Sequence, residues 1–232
     1  MHRKIFFLIL LLFAETVLAL ECPPGQYFVS GHQRNSYYRA NGIFVSATAV
    51  SDHCRPFQFS SPLKIRFQDK MPIGWPYLEK FISLTAVEKK EIEQAFNSLP
   101  SRLKNLGEIK IHRAIKSVFR DNPTTSGPDD SIIVLYDSAK AFGFQRAIAH
   151  ELAHILFSKL NEDEKAEYYS FSDWQWSNGK PYPQRQDFSE PDGIFAPEED
   201  FANNVEHLIQ KNNKRVNSKI SNYLKSLLGL KK

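Results

Sequence analysis

His150-Glu151-Leu152-Ala153-His154 is the stretch of this chain whose residue types and spacing are best suited to chemistry. Two histidines four residues apart fall on one face of a helix, so both imidazoles can reach a single metal ion. Glu151 follows the first of them and can lean over an open coordination position, where it would take a proton from a water that the metal activates. The implied ion is Zn2+, which in catalytic sites takes three protein ligands and leaves a fourth position open. The bland alternative is two core histidines beside an ion-paired glutamate. Three polar groups on a buried helix would then need partners of their own, which a metal supplies at once.

The helix that must carry the motif is legible. Phe144 to Leu160 has no Pro or Gly and is apolar at Phe144, Ala147, Ile148, Leu152, Ile155, Leu156 and Leu160, the pattern of a largely buried helix. Ahead of it, Ser131 to Tyr136 is a continuous run rich in β-branched residues and the best strand candidate in the chain, and Glu108 to Ile115 alternates as a half-buried strand would. Asp121 to Asp130 reads as a loop. Thr85-Ala86-Val87-Glu88 is a capping box that opens a helix to about Leu99, where Pro100 stops it. After the motif, Asn161 caps a charged helix through about Tyr169. Phe171 to Pro197 is long and irregular, and Trp174, Trp176 and Tyr182 argue against disorder there. A last amphipathic helix spans about Val216 to Leu228.

Two histidines do not complete a catalytic zinc site, and the helix opening at Pro197 is the place to seek a third ligand. Pro at its start and Glu198, Glu199 and Asp200 in its first turn mark its N-terminus, and it runs to about Gln210. Glu199, Asn203 and Glu206 share one face at i, i+4 and i+7. Glu199 is the preferred ligand, with Glu198, Glu206 and His207 as alternatives. Glu198 and Asp200 otherwise read as surface charge at a helix end.

A motif of this kind followed some forty residues later by a glutamate on a second helix resembles the gluzincin branch of HExxH zinc metallopeptidases. Glu199-Asp200-Phe201-Ala202 is similar to the glutamate helix of anthrax-lethal-factor-like peptidase domains. The resemblance covers about Ser131 to Gln210. It implies His150, His154 and Glu199 as zinc ligands and Glu151 as general base. The chain departs from the pattern at Asn203, where such helices usually carry an acid that supports a ligand histidine; Asn203 would accept a hydrogen bond there without adding charge. In zincin folds an edge strand beside the motif helix pairs with an extended substrate, and the strand from Ser131 is expected in that place. A further donor must stabilise the oxyanion, and Tyr182 is preferred over Tyr168 and Tyr169 because it lies in the long loop.

The N-terminus points outward from the cytoplasm. Residues 1–19 have a basic start, an apolar run from Ile5 to Phe13 and small residues before Leu20, which reads as a secretory signal peptide cleaved after Ala19. Glu21 before Cys22 argues against a lipid anchor. Cys22 and Cys54 are the chain's two cysteines and are expected to form a disulfide. Residues 20–59 read as a small disulfide-closed β module, with Asn41-Gly42 as a hairpin turn. Ser60-Ser61-Pro62 is the boundary to a zincin-like domain over residues 60–232. A net charge of +4 without a dense basic tract does not indicate nucleic acid binding, and no later segment is apolar enough to span a membrane.

These readings converge on a secreted or periplasmic α+β protein: a zincin-like metallopeptidase that hydrolyses a protein or peptide substrate. Two rivals stand beside it. One is a binding or adhesion protein with a non-catalytic zinc, acting through cell-surface or glycan contacts of the N-terminal module. The other is a peptidase restricted to cell-wall peptides.

Overall fold

The computed structural model describes residues 22–23, 26–29, 31–34, 37–38, 44–46, 48–56, 61–119, 123–126, 131–177 and 179–230. The expected signal peptide, the Asn41-Gly42 turn and parts of the Asp121 to Asp130 loop lie outside them. The described architecture is α+β, with small sheets and six α-helices.

The central sheet has four strands in the order β7 (Ser61–Phe67), β8 (Leu106–Arg113), β10 (Ile132–Leu135), β9 (Thr124–Ser126). The first three are parallel, and β9 runs antiparallel to β10. All four residues of β10 are buried, as a strand covered on both faces requires. This corrects the expectation of an edge strand at Ser131. Hydrogen-bonding positions on both sides of β10 are taken by β8 and β9, so among the described strands the edges of this sheet are β9 and β7.

Helix α1 (Ala86–Asn97) opens with the expected capping box: Thr85 N donates to Glu88 Oε2 at 2.8 Å, and Glu88 N donates to Thr85 Oγ1 at 3.2 Å. Glu88 also accepts from Arg113 and Lys140. Burial alone would raise its pKa, but these donors outweigh it and hold the carboxyl down at about 2. Short α2 (Ser138–Phe142) ends at Gly143, whose φ of +98° lets the chain turn directly into α3 (Phe144–Lys159), the motif helix. A second capping box, Asn161 with Glu164, starts α4 (Glu162–Phe171), and Glu164 pairs in the core with Arg102 at 2.8 Å. The long segment after α4 holds a hairpin, β11 (Trp174–Ser177) with β12 (Lys180–Pro183), and a 3-10 turn over Pro191–Ile194. Helices α5 (Pro197–Ile209) and α6 (Ser218–Leu228) complete the chain, and one core unites α1, α3, α5, α6 and the sheet.

The N-terminal segment is a paired ribbon. Strand β1 (Gln26–Val29) pairs with β6 (His53–Pro56), β2 (His32–Arg34) with β5 (Thr48–Val50), and β3 (Tyr37–Tyr38) with β4 (Phe44–Val45), all antiparallel and with the same pairing offset. Cys22 and Cys54 form the expected disulfide. The ribbon does not stand apart from the rest. Val29 is buried in the main core, Ser170 Oγ on α4 donates to Gln33 O at 3.0 Å, and Arg55 makes two hydrogen bonds to the buried Glu167, at 2.8 and 3.1 Å.

Candidate metal centre

Helices α3 and α5 pack closely, with Ala147, Ala202, Phe201 and Val205 buried between and around them, and this contact brings the motif to its partners. His150 Nε2 and His154 Nε2 lie 3.1 Å apart, the spacing that one helical turn gives. Glu199 Oε2, from the first turn of α5, is 3.6 Å from His150 Nε2 and 3.4 Å from His154 Nε2. Ligands at about 2.0–2.1 Å from one tetrahedral zinc are separated by about 3.4 Å. Two imidazole nitrogens and a carboxylate oxygen thus converge at the separations that such an ion would impose, and the donor set suits zinc.

The same convergence governs protonation. Burial alone would lower the pKa of His150, but Glu199, Glu206 and Glu151 outweigh it and push it up to about 10. His150 and His154 in turn hold the Glu199 carboxyl well below the usual range. A proton on His150 therefore joins charges that a divalent cation would otherwise join.

Around this centre is a cleft of about 770 Å3. Pro123 and Thr124, at the start of edge strand β9, form part of its wall, and Asp192 and the largely exposed Phe195 another part. Glu151 is buried beside the two histidines and lines the cleft.

Several expected positions are occupied differently. Asn203 lines the cleft, but its amide donates to Asp192 Oδ1 at 2.7 Å, fastening the Pro191–Ile194 turn to α5. It is Glu206, one turn further along the same face, whose Oε2 faces His150 Nδ1 at 3.2 Å. Tyr182 sits half-exposed on β12 and donates to Gln175 Oε1 at 3.0 Å, so it does not line the cleft. Tyr168 is buried beneath α5 and donates to Asp200 Oδ2 at 2.8 Å. Among the described residues, no tyrosine lines the cleft. Asp200 is not surface charge: it is fully buried and accepts from Tyr168, Trp174, Asn204 and Arg185, which anchors the first turn of α5. Glu198 is exposed at the cleft rim.

Sequence reasoning missed Arg146 and Glu190. Arg146 Nε donates to Glu206, its Nη2 donates to Glu190 Oε1 at 3.1 Å, and its guanidinium lies 3.9 Å from the centre of the Phe142 ring. Glu190 also meets His207 at 2.9 Å and Arg215 at 3.1 Å. Arg146 is four residues before His150, one turn back on the same helix face, and that spacing was the available signal. Glu190, Glu206 and His207 are themselves close enough to ligate a cation, but two guanidiniums already neutralise them.

No protein-family model, curated protein or solved structure matches this chain, so the functional reading stands on its own residues.

Proposed function

We propose that the chain is an exported, zinc-dependent metallopeptidase of zincin type, cleaving a protein or peptide substrate in the cleft between β9 and α5. The observation that carries the reading is the convergence of His150, His154 and Glu199 at 3.1–3.6 Å with Glu151 beside them. The Cys22–Cys54 disulfide fits an oxidising compartment, secreted or periplasmic. Among the described residues no helix is long and apolar enough to cross a membrane.

His150, His154 and Glu199 would hold the ion. When bound, zinc would lower the pKa of a water and polarise the scissile carbonyl. Glu206 holds His150 Nδ1, which fixes the ring so that Nε2 faces the centre. Glu151 takes a proton from the attacking water and delivers it to the leaving amine. Pro123 and Thr124 place the edge of β9 along the cleft, where an extended peptide can add its backbone hydrogen bonds. An intact Glu151 favours catalysis over a purely binding role, which needs no base.

The test is incubation of the zinc-loaded chain with an unfolded protein and, in parallel, with purified peptidoglycan. Chelator-sensitive release of peptides from the first is the expected result. Release from peptidoglycan alone would keep the chemistry and restrict the substrate to cell-wall peptides. Silence with both, zinc still bound, would transfer the reading to a binding protein.

A further inference from the structure

Where β7, β8 and β10 end, the chain displays apolar side chains that none of the described residues covers. Met71, Ile73, Leu78, Val118 and Phe119 are all exposed there, Ile73 at 98% and Leu78 at 102%. These residues are held in place. Trp75 N donates to Pro72 O at 3.2 Å across a turn in which Gly74 takes a φ of +77°, which puts Ile73 at the corner. Glu79 ties the two segments together. Its Oε2 accepts from Trp75 Nε1 at 3.1 Å and from the Tyr136 hydroxyl at 2.9 Å, and its Oε1 accepts from Val118 N at 2.8 Å. The Phe119 ring meets Tyr77 edge-on at 5.2 Å. Among the described residues of these two segments, the exposed charged side chains are Lys70, Lys80 and Lys116 against Asp69, while Glu79 is engaged inside the platform.

We infer that this platform docks on an anionic lipid bilayer, with Ile73 and Leu78 entering the headgroup region while Lys70, Lys80 and Lys116 meet lipid phosphates. Two physical features favour a bilayer over a protein partner. The apolar residues are protruding tips, which a bilayer interface accepts without shape complementarity, whereas a protein partner must supply a packed pocket around each. The excess of lysine complements an anionic surface. Rigidity adds to this, since tips that cannot fold back have less freedom to lose on insertion. Val118 and Phe119 also precede Pro123 and Thr124 of the cleft wall by only a few residues, so docking holds the cleft beside the bilayer. The inference does not depend on the peptidase reading.

Vesicle sedimentation tests it, using the exported chain beginning at Leu20, because the apolar leader would itself bind lipid. Binding to equal mixtures of phosphatidylglycerol and phosphatidylcholine should be about tenfold or more tighter than to phosphatidylcholine alone, and should weaken with salt. I73E/L78E should lose about tenfold or more of that binding. Its unfolding temperature should not change, because both side chains are already in water. I194E, which places the same charge on an exposed apolar residue of the Pro191–Ile194 turn, should bind like the wild type. Three results would overturn the inference: no partitioning by the wild type, equal partitioning onto neutral and anionic vesicles, or a loss in I194E that matches the double variant.

Discussion

Two constellations of histidine and glutamate lie side by side where α3 meets α5, and their neighbours make them different objects. In one, His150, His154 and Glu199 converge on a cleft. In the other, Glu190, Glu206 and His207 converge as closely, yet Arg146 and Arg215 place guanidiniums among them. The first offers donors to a cation from outside. The second has its cations built in: Arg215 pairs with Glu190, and Arg146 pairs with Glu206, whose other carboxylate oxygen faces His150 Nδ1. Ligand-type residues at ligand-type distances are therefore not enough to define a metal site. What counts is whether the positive charge already there can leave: a proton on His150 can be displaced, the guanidiniums of Arg146 and Arg215 cannot. On the proposed reading, the filled constellation would serve as the outer support of the open one.

This contrast sets an order of effects on zinc affinity, measurable by competition with a coloured chelator. Glu199→Ala removes the proposed third ligand and should cost more than about a hundredfold, beyond the range expected for outer supports. Full zinc retention in that variant would move the third ligand elsewhere on α5. Glu206→Ala leaves the ligands in place but frees His150 Nδ1, and should cost about 10–100-fold.

Acidity should come next. Zinc must displace the proton from His150, so affinity should rise about tenfold per pH unit until the pH reaches about 10. The metal-free chain gives the complementary reading. A folded-state pKa raised from 6.5 to about 10 contributes stability that is fully present below about pH 6.5 and lost as the pH climbs through 10. Thermal unfolding of the zinc-free protein should fall across that window, and saturating zinc should remove the fall.

Glu190→Gln should have the smallest effect, less than about threefold on zinc affinity, because Glu190 touches no ligand. It should cost about 1 kcal/mol of stability through its partly exposed ion pairs. If Glu190→Gln costs as much zinc affinity as Glu206→Ala, the two constellations act as one unit and the distinction between them fails.

Much of this was legible in the sequence, and the remainder has physical reasons. The α3 periodicity, the capping box of α1, the Asn161 cap and the proline-and-acid start of α5 are local signals, and each element formed where it pointed. Strand β10 was legible as a strand, but its unbroken apolar run already argued for an interior position, since an edge facing water alternates. β7 was missed although Leu63, Ile65 and Phe67 alternate with Pro62, Lys64 and Arg66; the adjacent Ser60-Ser61-Pro62 read as a boundary instead. The β11–β12 hairpin was carried by Asn178-Gly179 in the sequence, and missing it left Tyr182 apparently free to reach the cleft. Asn203 and Glu206 share a face, so sequence could not choose between them. The choice depends on the Pro191–Ile194 turn, which brings Asp192 to Asn203 across a distance no local pattern encodes. Asp200 was unreadable for the same reason, as its partners come from α4, β11 and the segment after β12.

The central claim is that Glu151 works on a water at a zinc held by its neighbours. The most direct test is turnover of an unfolded protein by Glu151→Gln, with the zinc content of the same sample measured alongside. The account predicts about one zinc per chain, as in the wild type, with turnover reduced about 10^2–10^4-fold, the share that a positioned general base supplies. Turnover at the wild-type level with zinc bound would contradict it.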